Sequence, residues 1–431
     1  MTSHALTRRR RRPPAAGPRV GLFGLLGAGN VGNDGSLEAV LAYLRAEHPD
    51  AVLGCLCSGP EQVRARYGIP ATPLHWYDAR PRATSRVGTA ATKAVGKVLD
   101  AYRTLAWVRR QDVVIVPGTG VLEATLPLRP WGFPYALFLL CASGRLLGTR
   151  IALLNVGSEV IDQRLTRWLI TSAARLVHYR SFRDTHSQDA MRRMGVDTSG
   201  DEVYADLTFS LPPSAAAPAG TGTVGVGVMA WHGGNGDRGQ AEEIHTAYVA
   251  TMKHFVRWLV DHDRRVRLFT GDQLDEVVVR EIIADIRAYR PGVEPSPVVS
   301  EQTTSLDDLM RQMASVDTVV ATRYHNVVCA LRLAKPTVSI SYSAKSDALM
   351  AEMGLADFCQ PAHFPDVERL IEQFTALERQ SGPLRHTMVQ RNRAIAQRLA
   401  GQYSVLSATL FPLVQSAPAA AGTQTAAPDL S

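Results

Sequence analysis

The feature that most constrains this chain is an opening that occurs twice. Val20-Gly21-Leu22-Phe23-Gly24-Leu25 and Val224-Gly225-Val226-Gly227-Val228-Met229 are short apolar runs carrying glycine. Each introduces an alternation of strand-length apolar runs and helix-length amphipathic segments. The expected strands are 20–26, 52–57, 112–117, 150–156 and 176–180 in the first half. In the second half they are 224–230, 265–270, 317–321 and 336–341. Helices are expected at 35–47, 162–174, 239–262, 305–313 and 326–334. Strand-helix alternation calls for parallel sheets joined by right-handed crossovers. The expected fold class is therefore α/β, two Rossmann-like domains facing a cleft, with ligands beyond the carboxyl ends of the strands.

A Pro/Ala/Gly segment separates the halves and reads as an interdomain linker. The expected organisation is a basic disordered tail 1–18, a first domain 19–211, a linker 212–222, a second domain 223–415 and a disordered tail 416–431.

Charge sharpens this picture. The net charge is +7, but Arg8 through Arg12 supply five of those charges and leave +2 elsewhere. A nearly neutral body does not suit a nucleic-acid-binding protein. The Arg run permits at most peripheral contact with an anionic membrane face. No apolar run of 18 residues occurs, and Trp131 to Leu147, broken by Pro134 and Arg145, reads as a buried helix. The five scattered cysteines form no disulfide framework, and Cys55 and Cys57 read as small buried residues on a strand. A cytoplasmic location is expected.

Gly27-Ala28-Gly29-Asn30-Val31-Gly32 has the G-x-G-x-x-G form of a dinucleotide loop. The second strand, however, ends Cys55-Leu56-Cys57-Ser58-Gly59, without the acidic residue that would hold a ribose. The loop is then expected to let a backbone approach closely. The N–H groups opening the 35–47 helix would favour an anion. Asn30, Asn33 and Asp34 would order the loop or contact a sugar hydroxyl.

The segment richest in chemistry is Thr322-Arg323-Tyr324-His325-Asn326, a polar turn between an apolar strand and an apolar helix. It places Arg323, a planar anion-binding fork, and His325 at a strand's carboxyl end. The next strand leads to Tyr342-Ser343-Ala344-Lys345, so Lys345 emerges beside the same cleft. In the first half, Arg183 lies on another strand-to-helix turn, while Arg180 and His186 read as solvent-facing. Cations on successive strand ends suit a small acidic ligand.

With these residues in view, the chain resembles the polysaccharide pyruvyl transferase family from about Gly21 to Gln360. The resemblance rests on Gly24, Gly27, Asn30 and Gly32, then Asp112-Val113-Val114-Ile115-Val116-Pro117-Gly118-Thr119-Gly120. It continues with Ser181, Phe182, Arg183, Asp184 and Ser187, with Ala205-Asp206 and Phe209, and with Thr322-Arg323-Tyr324-His325. Ala330-Leu331, Lys335-Pro336, Tyr342 and Lys345 complete it. Asn33 stands where the family usually has Asp, and Pro117-Gly118 replaces a double glycine.

The resemblance implies a glycosyltransferase-B-like pair of domains. It also implies transfer of the pyruvyl group of phosphoenolpyruvate onto two hydroxyls of a sugar, giving a ketal. In that reading His325 is the acid/base, and Arg323, Arg183 and Lys345 hold the donor. The loop residues Gly29, Asn30, Gly32, Asn33 and Asp34 border the acceptor, a carbohydrate whose lipid linkage stays open. No step calls for a metal or a nicotinamide cofactor. The alternatives are a nucleotide-sugar-dependent glycosyltransferase of the same shape, or a non-catalytic anion- or sugar-binding protein.

Overall fold

The computed structural model describes residues 17–79, 86–118, 120–122, 130–211, 220–234, 236–292 and 296–411. Arg8–Arg12, Thr119, most of the expected linker and the expected tail 416–431 lie outside the described residues.

The first unit runs β1 (Arg19–Gly24), α1 (Val31–Glu47), β2 (Val52–Cys57), α2 (Pro60–Tyr67), β3 (Ala71–Pro73), α3 (Arg86–Val108) and β4 (Val113–Val116). It continues with α4 (Phe133–Leu147), β5 (Arg150–Val156), α5 (Arg164–Leu176), β6 (Tyr179–Phe182), α6 (Thr185–Arg193) and β7 (Glu202–Val203). All seven strands are parallel, in the order β3-β2-β1-β4-β5-β6-β7. A 3₁₀ turn, Leu207–Ser210, leads out of this unit.

The second unit runs β8 (Thr223–Gly227), α7 (Ala241–Asp261), β9 (Arg265–Phe269), α8 (Glu276–Tyr289), β10 (Val298–Ser300), α9 (Leu306–Ala314) and β11 (Thr318–Ala321). Then come α10 (Tyr324–Arg332), β12 (Thr337–Ser341), α11 (Ala344–Glu352), β13 (Cys359–Pro361), α12 (Val367–Arg379) and α13 (Ser381–Leu410). Its six strands are also parallel, in the order β10-β9-β8-β11-β12-β13. Both halves are doubly wound, and each reverses strand order beside its opening strand. These are two Rossmann-like domains in a glycosyltransferase-B-like arrangement.

The central strands are apolar throughout because helices cover both faces of each sheet. Val20, Leu22, Val114, Ile115, Val226, Val319 and Val320 are all buried. Val31 of α1 and Phe209 pack into the core of the second unit, so the two domains meet through buried apolar contacts. The last helix crosses back: Leu406 and Leu410 of α13 are buried in the core of the first unit with β1 and α1. Gln402 of α13 donates to Ser181 Oγ at 2.9 Å, deep in the first domain.

Two expected boundaries move. α1 begins at Val31 rather than residue 35, because the Asn30 side chain caps it by accepting from Gly32 and Asn33 N–H. α5 continues to Leu176, so β6 starts at Tyr179 and Arg183 follows immediately after it. Arg180 is not a solvent residue: its guanidinium is drawn in by Asp201, with Nε 2.7 Å from Oδ2.

Candidate active site between the two domains

Every wall of the cleft is a strand end. A cavity of about 530 Å³ lies between the sheets. The first domain lines it with the loops after β1 (Asn30, Asn33), β4 (Gly120), β5 (Glu159) and β6 (Arg183). The second lines it with those after β8 (Met229 to Gly234), β9 (Gly271), β11 (Arg323 to His325) and β12 (Tyr342, Ser343, Lys345). This is the location that doubly wound sheets reserve for ligands.

His325 sits in the first turn of α10, with its ring laid on Gly32 in the first turn of α1. A β-carbon on Gly32 would stand 2.0 Å from the imidazole, so no other residue fits beneath it. His325 Nε2 lies 3.8 Å from Asp206 Oδ2. That is too long for a hydrogen bond, and Nε2 has no hydrogen-bond partner among the described residues. Asp206 is buried, and its Oδ1 accepts from Thr208 N–H and O–H at 3.0 and 2.8 Å. Burial alone would push the Asp206 carboxyl up. The facing imidazole, Arg183 and the Thr208 N–H outweigh burial and bring it to about 2. Asp206 is therefore an anion complementary to a proton on His325.

Arg183 is only 5% exposed. Its guanidinium carbon lies 4.9 Å from the centre of the Tyr324 ring, and its Nε lies 3.5 Å from Asp184 Oδ2. Lys345 Nζ lies 5.7 Å from the same ring centre. Tyr324, buried between the domains, thus gathers one cation from each domain by cation–π attraction. Its ring also meets His325 edge-on at 5.2 Å.

Arg323 lines the cavity, but its fork is not wholly open. Nε and Nη2 donate to Asp275 Oδ2 and Oδ1 at 2.8 and 2.7 Å, a bidentate pair with a fully buried carboxylate. Asp275 Oδ1 also accepts from Ala230 N–H at 2.9 Å, which ties the loop after β8 to the same ion pair. Burial disfavours the Arg323 charge and Asp275 more than restores it, so its pKa is raised. Nη1 is the edge left for a ligand.

The glycine loop is more committed to itself than expected. Asn30 uses its oxygen on Gly32 and Asn33 N–H, and Asn33 Nδ2 donates to Leu25 O at 3.1 Å. Those two N–H groups are therefore not offered to an anion. Asp34 turns away from the cavity and accepts from Gly27 N–H at 2.7 Å. Gly27 has φ of +70°, which glycine adopts readily. Burial raises the Asp34 pKa against that hydrogen bond. Gly29 is half-buried beside the Gln273 side chain. Of the loop residues, Asn30 and Asn33 reach the cavity wall.

Residues 30–344 match the family described as polysaccharide pyruvyl transferase. The chain belongs to this family. No curated protein matches its sequence. Among solved structures it is similar to UDP-GlcNAc 2-epimerase from Neisseria meningitidis bound to UDP-GlcNAc, at 9% identity and a TM-score of 0.55, over 90% of this chain and 99% of that one. It is also similar to HepE from Anabaena in complex with UDP and glucose, at 12% identity and TM-score 0.54, over 90% and 99%. UDP-GlcNAc 2-epimerase from Methanocaldococcus jannaschii matches at 10% identity and TM-score 0.52, over 83% and 92%. At these identities the likeness is one of fold.

Within this pyruvyl transferase family member, the structure brings Arg183, Arg323, His325 and Lys345 to one cavity. It adds residues to which sequence reasoning gave no role. Asp206 and Tyr324 stood inside quoted motifs, while nothing in the sequence ties Asp275 to Arg323. Trp231 and Tyr342, with ring centres 5.3 Å apart, add an aromatic wall.

Proposed function

We propose that this protein moves the pyruvyl group of phosphoenolpyruvate onto two hydroxyls of a carbohydrate, forming a cyclic ketal and releasing phosphate. The observation that carries the reading is His325, faced by the Asp206 anion and flanked by Arg183, Lys345 and Arg323 in one cavity. Family membership supports the same reading.

Phosphoenolpyruvate brings a carboxylate and a phosphate, which Arg183, Lys345 and Arg323 Nη1 would clamp from both domains. A protonated His325 delivers its proton to C3 of the enol, and positive charge develops at C2. The Asp206 carboxylate stabilises the imidazolium before transfer and orients it, a positioning role. A sugar hydroxyl attacks C2, and the C2–O bond to phosphate breaks. The second hydroxyl then closes the ring. Of the two hydroxyl protons, one returns to His325 and the other leaves with phosphate. The wall of Trp231 and Tyr342 suits the apolar face of a sugar ring, with Asn30, Asn33 and Glu159 at the border for its hydroxyls.

The test is incubation with phosphoenolpyruvate labelled in the pyruvyl carbons and a panel of glycoside acceptors. Expected are label transfer to the sugar and equimolar phosphate release, both lost in His325→Ala. Turnover of nucleotide sugars with no use of phosphoenolpyruvate would replace this reading with glycosyl transfer.

A further inference from the structure

α3, α4 and α5 lie side by side on one face of the first sheet, and this layer is apolar on the side turned to solvent. On α3, Gly96, Asp100, Thr104 and Val108 face inward and are buried. The opposite row is Val95, Val98 and Tyr102, spaced three and four residues apart, with Val98 and Tyr102 each 71% exposed. A helix packed on a sheet ordinarily turns polar residues outward. On α4 the outward row is Tyr135, Phe138, Leu139, Ala142 and Leu146, and the helix carries a single charge, Arg145. Leu146 is 76% exposed. The expectation of a buried helix here is corrected: only its inner side is buried. On α5, Leu165 and Trp168 are exposed.

The rows are continuous. Tyr135 Oη donates to Lys97 O, joining α4 to α3, and the Phe138 and Trp168 rings lie 5.2 Å apart, joining α4 to α5. Trp131 is exposed just before α4. Beside it, Tyr77, Ala94, Lys93 and Lys97 line a hollow of about 490 Å³. Its place at the N-terminal end of α4 puts it toward the strand ends that form the cleft.

The charge on this layer has one sign. α3 carries Lys93, Lys97 and Arg103, α4 carries Arg145, and α5 carries Arg164, Arg167 and Arg175. The single carboxylate on the three helices, Asp100, is buried. It accepts from Trp76 N–H at 2.7 Å, contacts His75 Nδ1 at 3.1 Å, and draws Lys97 Nζ and Arg103 Nη1 to 3.6 and 3.8 Å, so the outward rim is Lys93, Arg145, Arg164, Arg167 and Arg175. Exposed apolar and aromatic rows with a basic rim and no outward carboxylate form the complement of an anionic lipid interface. A two-fold partner copy would set this basic rim against itself.

We propose that the α3–α4–α5 face docks the protein on an anionic lipid surface. Trp131, Trp168 and Tyr102 seat at the headgroup level, and Lys93, Arg145, Arg164 and Arg167 meet lipid phosphates. No helix among the described residues is long and apolar enough to cross a membrane, so the face lies on the interface. The proposal does not depend on the donor chemistry above.

The test is cosedimentation of the full chain with phosphatidylglycerol–phosphatidylcholine vesicles and with pure phosphatidylcholine vesicles. Expected are binding to the anionic vesicles that weakens with salt, and little binding to the neutral ones. Val98→Glu with Trp168→Glu, and separately Lys93→Glu with Arg167→Glu, should each lower the partition roughly tenfold or more. Unchanged melting temperatures would show that these substitutions leave the fold intact. Replacing Arg8–Arg12 by alanine should leave most of the binding in place. Failure of the wild-type chain to bind anionic vesicles overturns the proposal. So does wild-type binding by both double variants, or loss of binding only on replacing Arg8–Arg12. A dimer in sedimentation equilibrium that Val98→Glu with Trp168→Glu dissociates would assign the face to a second copy and also overturn it.

Discussion

Asp206 and His325 face each other across the domain interface, Oδ2 to Nε2 at 3.8 Å, one from the end of the first domain and one from the first turn of α10. The carboxylate is buried and held to about 2, below the ordinary 3.8. A carboxyl whose folded pKa is depressed stabilises the fold fully above its unfolded value and loses that contribution as pH falls through the folded one. Asp206 therefore contributes about 2 kcal/mol at neutral pH, lost between about pH 4 and pH 2.

Asp206→Asn removes the anion while keeping the shape. Thermal melts of the variant should be lower than wild type at neutral pH, and the gap should narrow as pH falls from 4 toward 2. In turnover with phosphoenolpyruvate, kcat should fall roughly tenfold to a hundredfold with KM little changed, because the donor clamps remain. Equal losses at every pH in melts, with kcat intact, would leave Asp206 a purely structural group.

Gly32→Ala tests the contact on which the His325 ring rests. The added carbon would stand 2.0 Å from imidazole atoms, so either the ring or α1 must shift. Overpacking of this kind costs about 1–3 kcal/mol. Displacement of a reacting group by about 1 Å costs on the order of a hundredfold in rate. Kinetics and melts together check it: activity should fall far more than stability. A variant with wild-type kcat would show that the ring's seat on α1 is not needed.

How much of this was legible beforehand follows from range in sequence. Arg183, Arg323, His325 and Lys345 were readable because strand alternation places each polar turn at a carboxyl end. Asp275, 48 residues from Arg323, was not, since only tertiary packing selects that partner. Tyr324 reads in sequence as one residue of the polar turn Thr322 to Asn326, and nothing there shows that its ring gathers Arg183 and Lys345. The sequence pattern places the start of α1 four residues late because Gly32 and Gly35 depress helix propensity. Those glycines serve the neighbouring domain instead: Gly32 makes room for His325, and a β-carbon on Gly35 would stand 2.6 Å from Leu306. Over 86–108 the inward row is Gly96, Asp100, Thr104 and Val108, so the apolar stripe of α3 turns to solvent and does not mark a core helix.

Tyr324→Leu should separate donor binding from chemistry. The ring attracts Arg183 and Lys345 at 4.9 and 5.7 Å. Leucine keeps apolar volume and removes the ring's negative face, releasing cation–π attraction of about 0.5–2 kcal/mol. The expected result is a KM for phosphoenolpyruvate raised roughly threefold to thirtyfold, with kcat changed much less. Steady-state kinetics with phosphate detection reads both. A fall in kcat at constant KM would place Tyr324 with the proton-transfer pair rather than with the clamp.

Asp275 and Arg323 form the cavity's one bidentate pair among the described residues, and a double-mutant cycle measures it. Asp275→Asn leaves a largely buried guanidinium without its anion and should cost about 3–5 kcal/mol in urea unfolding. Arg323→Met leaves the fully buried Asp275 carboxylate without its cation and should cost a similar amount. The double variant removes both charges, so it should be more stable than the sum of the single losses implies, with a coupling of about 2 kcal/mol or more. The pair also fixes the loop after β8 through Ala230 N–H, so every member of the cycle should raise KM for the donor. Strict additivity of the two single losses would mean that the pair's geometry contributes nothing, and that Arg323 is held in the cavity wall by packing alone.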